Sequence, residues 1–328
     1  MKQAKLIRYS LPMDSGVILR DNKLTTREGW IVELKEHDKR ALGEISPLPG
    51  FSEESIEQAG GQAQACLEAW VNNQALDLED CFPSVAFGMS AALMELSARL
   101  PEKGNHQAAP LCSGDPDELL PVLNTMSGRK VAKIKVGMYE AIRDGMIVSL
   151  FLESIPDLTL RLDANRAWSL DKAKKFASYI APALRARIAF IEEPCRDADS
   201  SVSFAAETGI AIAWDETLQD AARQADFTVP SLKSAKAIVI KPTLVGSLDK
   251  CIRIIEEAHN QDIQVVISSS LESSVGLNQL ARFSQWQLPN ETPGLDTMQL
   301  FAAQLETAWP GCELPVSMLS EQSLYWQS

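Results

Sequence analysis

Apolar and polar positions follow two rhythms along this chain. Near the start, "AKLIRYSL", "EGWIVELK" and "RALGEIS" are short segments of alternating character separated by turn residues, which predicts a small antiparallel sheet. Two stretches of helical spacing follow. "SEESIEQAGGQAQACLEAWVNN" opens on Ser52 and two glutamates, predicting a helix with Ser52 as N-cap and favourable charge in its first turn. "SVAFGMSAALMELSARL" predicts a second helix that stops near Pro101. Strands first and helices afterwards suggest an α+β domain.

From about residue 120 the rhythm changes to continuous apolar runs separated by helix-period segments. The predicted strands are "VAKIKVG", "LTLRLDAN", "IAFIEEP", "IAIAWDE", "AIVIKPT" and "IQVVISSS", with helices such as "YEAIRDGMIVSLFLESI" and "SLDKAKKFASYIAPAL" between them. Such βα repeats imply a parallel sheet covered by helices. "LPVLNT" and "GLDT" are candidates for two further strands, completing eight. A β/α barrel is favoured over an open doubly wound sheet, since no Gly-rich phosphate loop follows the first strand.

Composition narrows the function classes. The 328 residues are 45% hydrophobic and 23% charged, as in an ordinary globular protein, and the net charge of -13 argues against nucleic acid or an anionic membrane as partner. Six cysteines without a C-x-x-C pair fit reduced thiols. No signal-peptide core and no membrane-length apolar run is seen, so a cytoplasmic protein without membrane insertion is expected. The three histidines, His37, His106 and His259, lie far apart, which leaves little support for a His-ligated zinc site or a Ser-His-Asp triad.

Candidate chemistry lies at the strand ends. Lys135, Asp163, Glu192, Asp215 and Lys241 occur near the C-terminal ends of successive strands, at separations of 28, 29, 23 and 26 residues, about one βα repeat each. The C-terminal rim is where β/α barrels carry their active sites. Alternation puts Arg161, Asp163 and Asn165 on one face, against Leu160 and Leu162. It likewise sets Asp215 with Ala211 and Ala213, and Lys241 with Val239. Charges directed into a barrel mouth must neutralise one another or hold an ion. Three carboxylates, Asp163, Glu192 and Asp215, suit a hard divalent cation such as Mg²⁺. With one protonated lysine this set sums to zero charge, and a substrate carboxylate balances a second ammonium. Taken singly, each residue has a plainer role. A strand lysine is commonly a solvated charge, and an acid ending a strand commonly caps the next helix, as Glu193 and Glu216 are expected to do unless they contact the ligands from outside. "PLPGF" reads as a Pro-stiffened turn.

"KIKVG", "RLDANRAW", "FIEEP", "AWDE" and "VIKPTLVGS" resemble the enolase superfamily, muconate-lactonising subgroup. "LPMDSGVILRD", "GEISPLPGFS", "VISSSLESSVGLNQLA" and "PGLDT" carry the likeness to that subgroup's dehydratases of menaquinone biosynthesis. The resemblance implies an α/β fold, a (β/α)7β barrel with an N-terminal α+β capping domain. The implied divisions are a cap over residues 1–105 with closing loops near 12–20 and 46–52, a barrel over 106–305, and a segment 306–328 returning to the cap.

It further implies Mg²⁺, with Mn²⁺ as a substitute, on Asp163, Glu192 and Asp215, Lys135 as acid/base and Lys241 as the second catalytic lysine. Arg161, Asn165, Ser268, Ser270 and Gly294 would line the substrate. The implied reaction is syn dehydration of 2-succinyl-6-hydroxy-2,4-cyclohexadiene-1-carboxylate to o-succinylbenzoate, through an enediolate that the metal stabilises, by a monomer acting on a small carboxylate. An unperturbed lysine pKa of about 10.4 leaves little free base at neutral pH. Lys133 is therefore expected to lower the pKa of Lys135 and to help orient the substrate carboxylate. The alternatives are an N-succinylamino acid racemase and a non-catalytic barrel that binds a partner. Dipeptide epimerases of the superfamily carry Asp-x-Asp where this chain has Gly294-Leu295-Asp296, which argues against that specificity.

Overall fold

The computed structural model describes residues 1–328 apart from 15, 16, 20, 21, 113, 114 and 225. Two compact units emerge, one made of Met1–Ala108, Ile240–Ile255 and Ile267–Ser328, the other of Ala109–Val239 and Glu256–Val266.

In the first unit a four-stranded sheet runs in the order Ser323–Gln327, Lys2–Pro12, Thr26–Glu36, Lys39–Ile45, all antiparallel. Its inward positions, among them Ala4, Leu6, Trp30, Val32 and Leu34, pack with Ala63, Leu67, Val85 and Met89 from the helices Ile56–Val71 and Pro83–Leu96. One approach is tight enough to require glycine: a Cβ on Gly43 would run into the carbonyl of Gly88. The first helix is capped by Ser55, not Ser52. Ser55 and Gln58 form a reciprocal capping box, whereas the Ser52 hydroxyl accepts the Leu48 N–H at 2.9 Å and closes the preceding turn. The second helix ends at Leu96, short of Pro101, because Ala98 turns left-handed with φ 57°.

The barrel sheet has seven strands in the order Gln264–Ile267, Ala237–Ile240, Ile212–Trp214, Ile188–Glu192, Leu158–Asp163, Lys130–Lys135, Leu111–Cys112, and from Ala237–Ile240 to Leu111–Cys112 the pairing is parallel. This is the expected α/β barrel class with an antiparallel N-terminal domain. Phe190, Ala213, Ala237, Val239 and Val266 form an apolar cluster. Phe190 has the same strand parity as Glu192, Ala213 as Asp215 and Val239 as Lys241.

Three expected elements differ. "LPVLNT" is no strand but the end of the helix Pro116–Asn124, which Asp115 caps by accepting the Asp117 N–H and which carries Asp117 and Glu118 in its first turn. Pro121 already spoke against a central strand, and Leu111–Cys112 takes that place in the sheet. "GLDT" contributes only a single bridge, Ser268 to Gly294. The predicted helix "SLDKAKKFASYIAPAL" breaks into Leu170–Ser178 and Pro182–Arg185, as Pro182 begins a new first turn. Among the described residues no helix is long and apolar enough to cross a membrane.

Candidate active site

Strand register brings the predicted residues of the Ala109–Val239 unit together. Lys133 is the ladder partner of Arg161, Lys135 of Asp163, Asp163 of Glu192, and Glu192 of Ala213, so Asp215 follows two residues further on. Lys135, Asp163 and Glu192 are the last residues of their strands. Asp163, Glu192 and Asp215 are buried, each at most 4% exposed.

The two lysines of this strand part company. The Nζ of Lys133 lies 2.9 Å from Asp163 Oδ2 and 2.7 Å from Glu192 Oε2. Burial alone would push the Lys133 pKa down. The charges of Asp163, Glu192 and Asp215 outweigh that and raise it well above the ordinary lysine value, so Lys133 is a fixed ammonium. Lys135, two residues along, is exposed.

The carboxylates have further partners. Asp215 Oδ1 accepts from Gln219 Nε2 at 2.6 Å, and Asp163 Oδ1 accepts the Asn165 N–H at 3.1 Å. Arg161 is buried, with its guanidinium 5.6 Å from the centre of the Phe190 ring. As the side chains stand, no three acidic, imidazole or thiol groups among the described residues are close enough to ligate one ion. The Lys133 ammonium bridges two of the carboxylates instead. The donor chemistry nevertheless fits a hard divalent cation: three buried carboxylates at neighbouring strand ends, with oxygen as the only donor atom.

The remaining predicted residues belong to the other unit. Lys241 directly follows its strand and precedes the short helix Pro242–Val245. The Ser268 N–H donates to the Ile240 carbonyl at 2.9 Å, and its hydroxyl to the Gly294 carbonyl at 3.1 Å. A Cβ on Gly294 would stand 2.9 Å from Ser268 Oγ, which explains a glycine there. Ser270 is buried beside Glu272, whose carboxylate accepts the Ser270 N–H at 2.7 Å, the Ser269 hydroxyl at 2.7 Å and the Thr243 hydroxyl at 2.5 Å.

The segment 46–52 is held by Arg27. Its guanidinium donates to the carbonyls of Ser46 at 2.5 Å, Pro47 at 2.6 Å and Leu271 at 2.9 Å. Residues 15, 16 and 20 of the expected loop 12–20 lie outside the described residues. Next to them, the Met13 N–H donates to the Thr25 carbonyl and the Asp14 N–H to that of Leu300.

Sequence reasoning missed Arg27 and the Thr243–Glu272 pair, whose partners are remote along the chain; the Ser269 and Ser270 contacts of Glu272 are local. It also missed Arg166 and Thr217, although "DANRAW" and "WDET" place them beside ligand candidates.

Residues 1–96 match the family model "MenC, N-terminal domain", and residues 123–309 match "Enolase C-terminal domain-like". The o-succinylbenzoate synthase of Vibrio cholerae serotype O1 (strain M66-2) is 63% identical over all 328 residues, covering 99% of that protein. That of Aliivibrio salmonicida is 57% identical, with both chains fully covered. Among solved structures, o-succinylbenzoate synthase from Thermosynechococcus elongatus BP-1, complexed with Mg in its active site, superposes with a TM-score of 0.73 at 21% identity, covering 89% of this chain and 92% of that one. The L-Ala-D/L-Glu epimerase of Bacillus subtilis superposes almost as well, with a TM-score of 0.72 at 20% identity, covering 91% of this chain and 90% of that one. Fold likeness therefore does not separate these activities. The full-length identities do, and by them this chain belongs to the o-succinylbenzoate synthase family of lyases within the enolase superfamily.

Proposed function

We propose that this chain dehydrates 2-succinyl-6-hydroxy-2,4-cyclohexadiene-1-carboxylate to o-succinylbenzoate in menaquinone biosynthesis, working as a cytoplasmic monomer on this small carboxylate. Full-length identity of 63% to a curated synthase carries the reading. The ordering of Lys133, Asp163 and Glu192 on adjacent strands supports it.

Asp163, Glu192 and Asp215 are assigned to Mg²⁺, with Mn²⁺ able to replace it. The bound cation supplies charge that polarises the substrate carboxylate and acidifies its α-proton. Lys135, exposed at its strand end, is assigned as the base. Syn loss places the departing proton and hydroxyl on one face of the ring, so one lysine serves both steps. Lys135 takes the proton from C1 and leaves the electron pair spread over C1 and its carboxylate; that pair then returns to form the new ring double bond as the C6–O bond breaks. The same proton is then returned to the departing oxygen, which leaves as water.

Lys241 stays an ammonium and offsets negative charge developing on the substrate. Lys133 stays charged between its carboxylates and helps orient the substrate carboxylate. Arg161, Asn165, Ser268, Ser270 and Gly294 are assigned around the substrate. The cap residues 1–105, with the loops 12–20 and 46–52, are assigned to covering the barrel of residues 106–305, with 306–328 as the returning segment.

The test is to mix protein, the cyclohexadiene and Mg²⁺ and follow the aromatic product by absorbance. Turnover should stop with chelator, return with Mg²⁺ or Mn²⁺, and vanish in folded Asp163→Asn, Glu192→Gln and Asp215→Asn. Full activity in excess chelator overturns the metal assignment. Racemisation of N-succinylamino acids without any dehydration overturns the reaction.

A further inference from the structure

The strand ends bearing Asp163, Glu192 and Asp215 are tied together by three side chains that the chemistry above does not use. Glu193 is 2% exposed and reaches across all of them. Its Oε1 accepts the N–H of Asp215 at 3.1 Å and of Thr217 at 2.8 Å. Its Oε2 accepts Arg166 Nε at 3.1 Å and the Thr217 hydroxyl at 3.0 Å. Arg166 Nη2 in turn donates to Thr217 Oγ1 at 3.0 Å. The backbone repeats the link, with the Arg166 N–H donating to the Glu193 carbonyl at 2.8 Å and the Ala164 N–H to that of Glu192 at 3.2 Å.

Backbone conformation shows why such ties are needed. Asn165, Arg166 and Glu193 are left-handed, with φ of 44°, 58° and 40°. Side chains other than glycine rarely adopt this conformation, and it persists where surrounding contacts over-determine it. Here these residues lie within three positions after Asp163 or Glu192, and Arg166 and Glu193 are held by each other across neighbouring strand ends.

We propose that Glu193, Arg166 and Thr217 are positioning residues that set the spacing of the three carboxylates and so tune this chain's affinity for a divalent cation. The proposal rests on the ligand assignment made above. The plainer role is that Glu193 only caps the helix Glu216–Ala222 and affects stability alone.

Mn²⁺ titration of the metal-free protein, read by electron paramagnetic resonance of free Mn²⁺, separates the two roles when the melting temperature of the metal-free protein is measured alongside. Outer partners of metal ligands typically contribute about 10–100-fold in affinity. Glu193→Gln should weaken Mn²⁺ binding by about that factor. Thr217→Val should weaken it less, and Thr217→Ser, which keeps the hydroxyl, should bind as the wild type does. Wild-type Mn²⁺ affinity in folded Glu193→Gln and Thr217→Val, with only the melting temperature lowered, overturns the proposal. If Glu193→Gln does not fold, the contrast between Thr217→Val and Thr217→Ser decides, and equal affinities overturn it. Asp215→Asn monitors the assignment beneath: if that variant binds Mn²⁺ as the wild type does, the ligand set is wrong and the proposal falls with it, by a signature in the ligand variant and not in the Glu193 variant.

Discussion

Glu193 and Glu272 are two glutamates buried close behind strand ends, at 2% and 0% exposure, and their surroundings treat them in opposite ways. Glu193 has a cation, Arg166, together with two backbone N–H groups and a hydroxyl. Glu272 is held by two hydroxyls and one backbone N–H, with the Glu44 charge adding to the pressure against ionisation. Glu193 is ion-paired to Arg166, whereas Glu272 meets the hydroxyls of Thr243 and Ser269. One region organises its polar groups by charge, the other by neutral donors. Charge compensation lets a buried ion persist, while a hydroxyl cradle fixes geometry at the cost of sensitivity to protonation.

The charged region also holds the sharpest local contrast, between Lys133 and Lys135. Lys135→Ala removes an exposed side chain, so the fold should survive while kcat falls by about 10²–10⁴-fold, the usual contribution of a positioned acid/base. Circular dichroism and steady-state rates check both halves. Near-normal turnover in Lys135→Ala would transfer the base to another residue.

Lys133→Ala should damage stability before chemistry. Removing one partner of a buried ion pair costs about 3–5 kcal/mol, because the other charges are left uncompensated. Asp163 and Glu192 would both lose their ammonium. The metal-free variant should therefore unfold at markedly lower urea than the wild type, and saturating Mg²⁺ should recover most of the deficit. Any remaining turnover should run at a reduced rate. A stability loss that Mg²⁺ leaves untouched would separate Lys133 from the cation's charge balance.

The legibility of the two regions in the sequence differs for a physical reason. In the charged region one acidic or basic residue recurs at each βα repeat, and a parallel ladder converts that spacing into adjacency, so Lys135, Asp163, Glu192 and Asp215 could be aligned before any fold was known. Alternation could not say which lysine of "KIK" reaches the carboxylates, because both share a face and only side-chain reach decides. For Glu193 both a capping and a contacting role were open, and it takes backbone N–H groups at the start of the Glu216–Ala222 helix while pairing with Arg166. Around Glu272 the contacts rest on partners far apart in the chain: Arg27 and Leu271 are 244 positions apart, and Glu44 and Ser273 are 229 apart. No local pattern encodes such pairs. The mistaken strand at "LPVLNT" is a different failure, since Asp115 and Pro116 announced a helix start just upstream.

The smallest expected effect tests the hydroxyl cradle directly. Burial, opposed by the Thr243 and Ser269 hydroxyls and reinforced by the Glu44 charge, raises the carboxyl pKa of Glu272 above its ordinary value. The folded state therefore holds a proton that the unfolded chain releases at about pH 4.3, and the stability tied to that proton is present below this value. As pH rises through the folded-state pKa, that contribution is lost, at a slope of at most about 1.4 kcal/mol per pH unit. Glu272→Gln cannot titrate and lacks this slope. Urea unfolding of both proteins from pH 4 to pH 8 should show the wild type losing ground to the variant as pH rises through this window, and a constant gap outside it. A wild type that gains on the variant with rising pH would mean that the Ser270 N–H and the two hydroxyls hold the ionised carboxylate better than the neutral acid. In that case the two regions would share one electrostatic logic, and the contrast between a charged and a neutral cradle would fail.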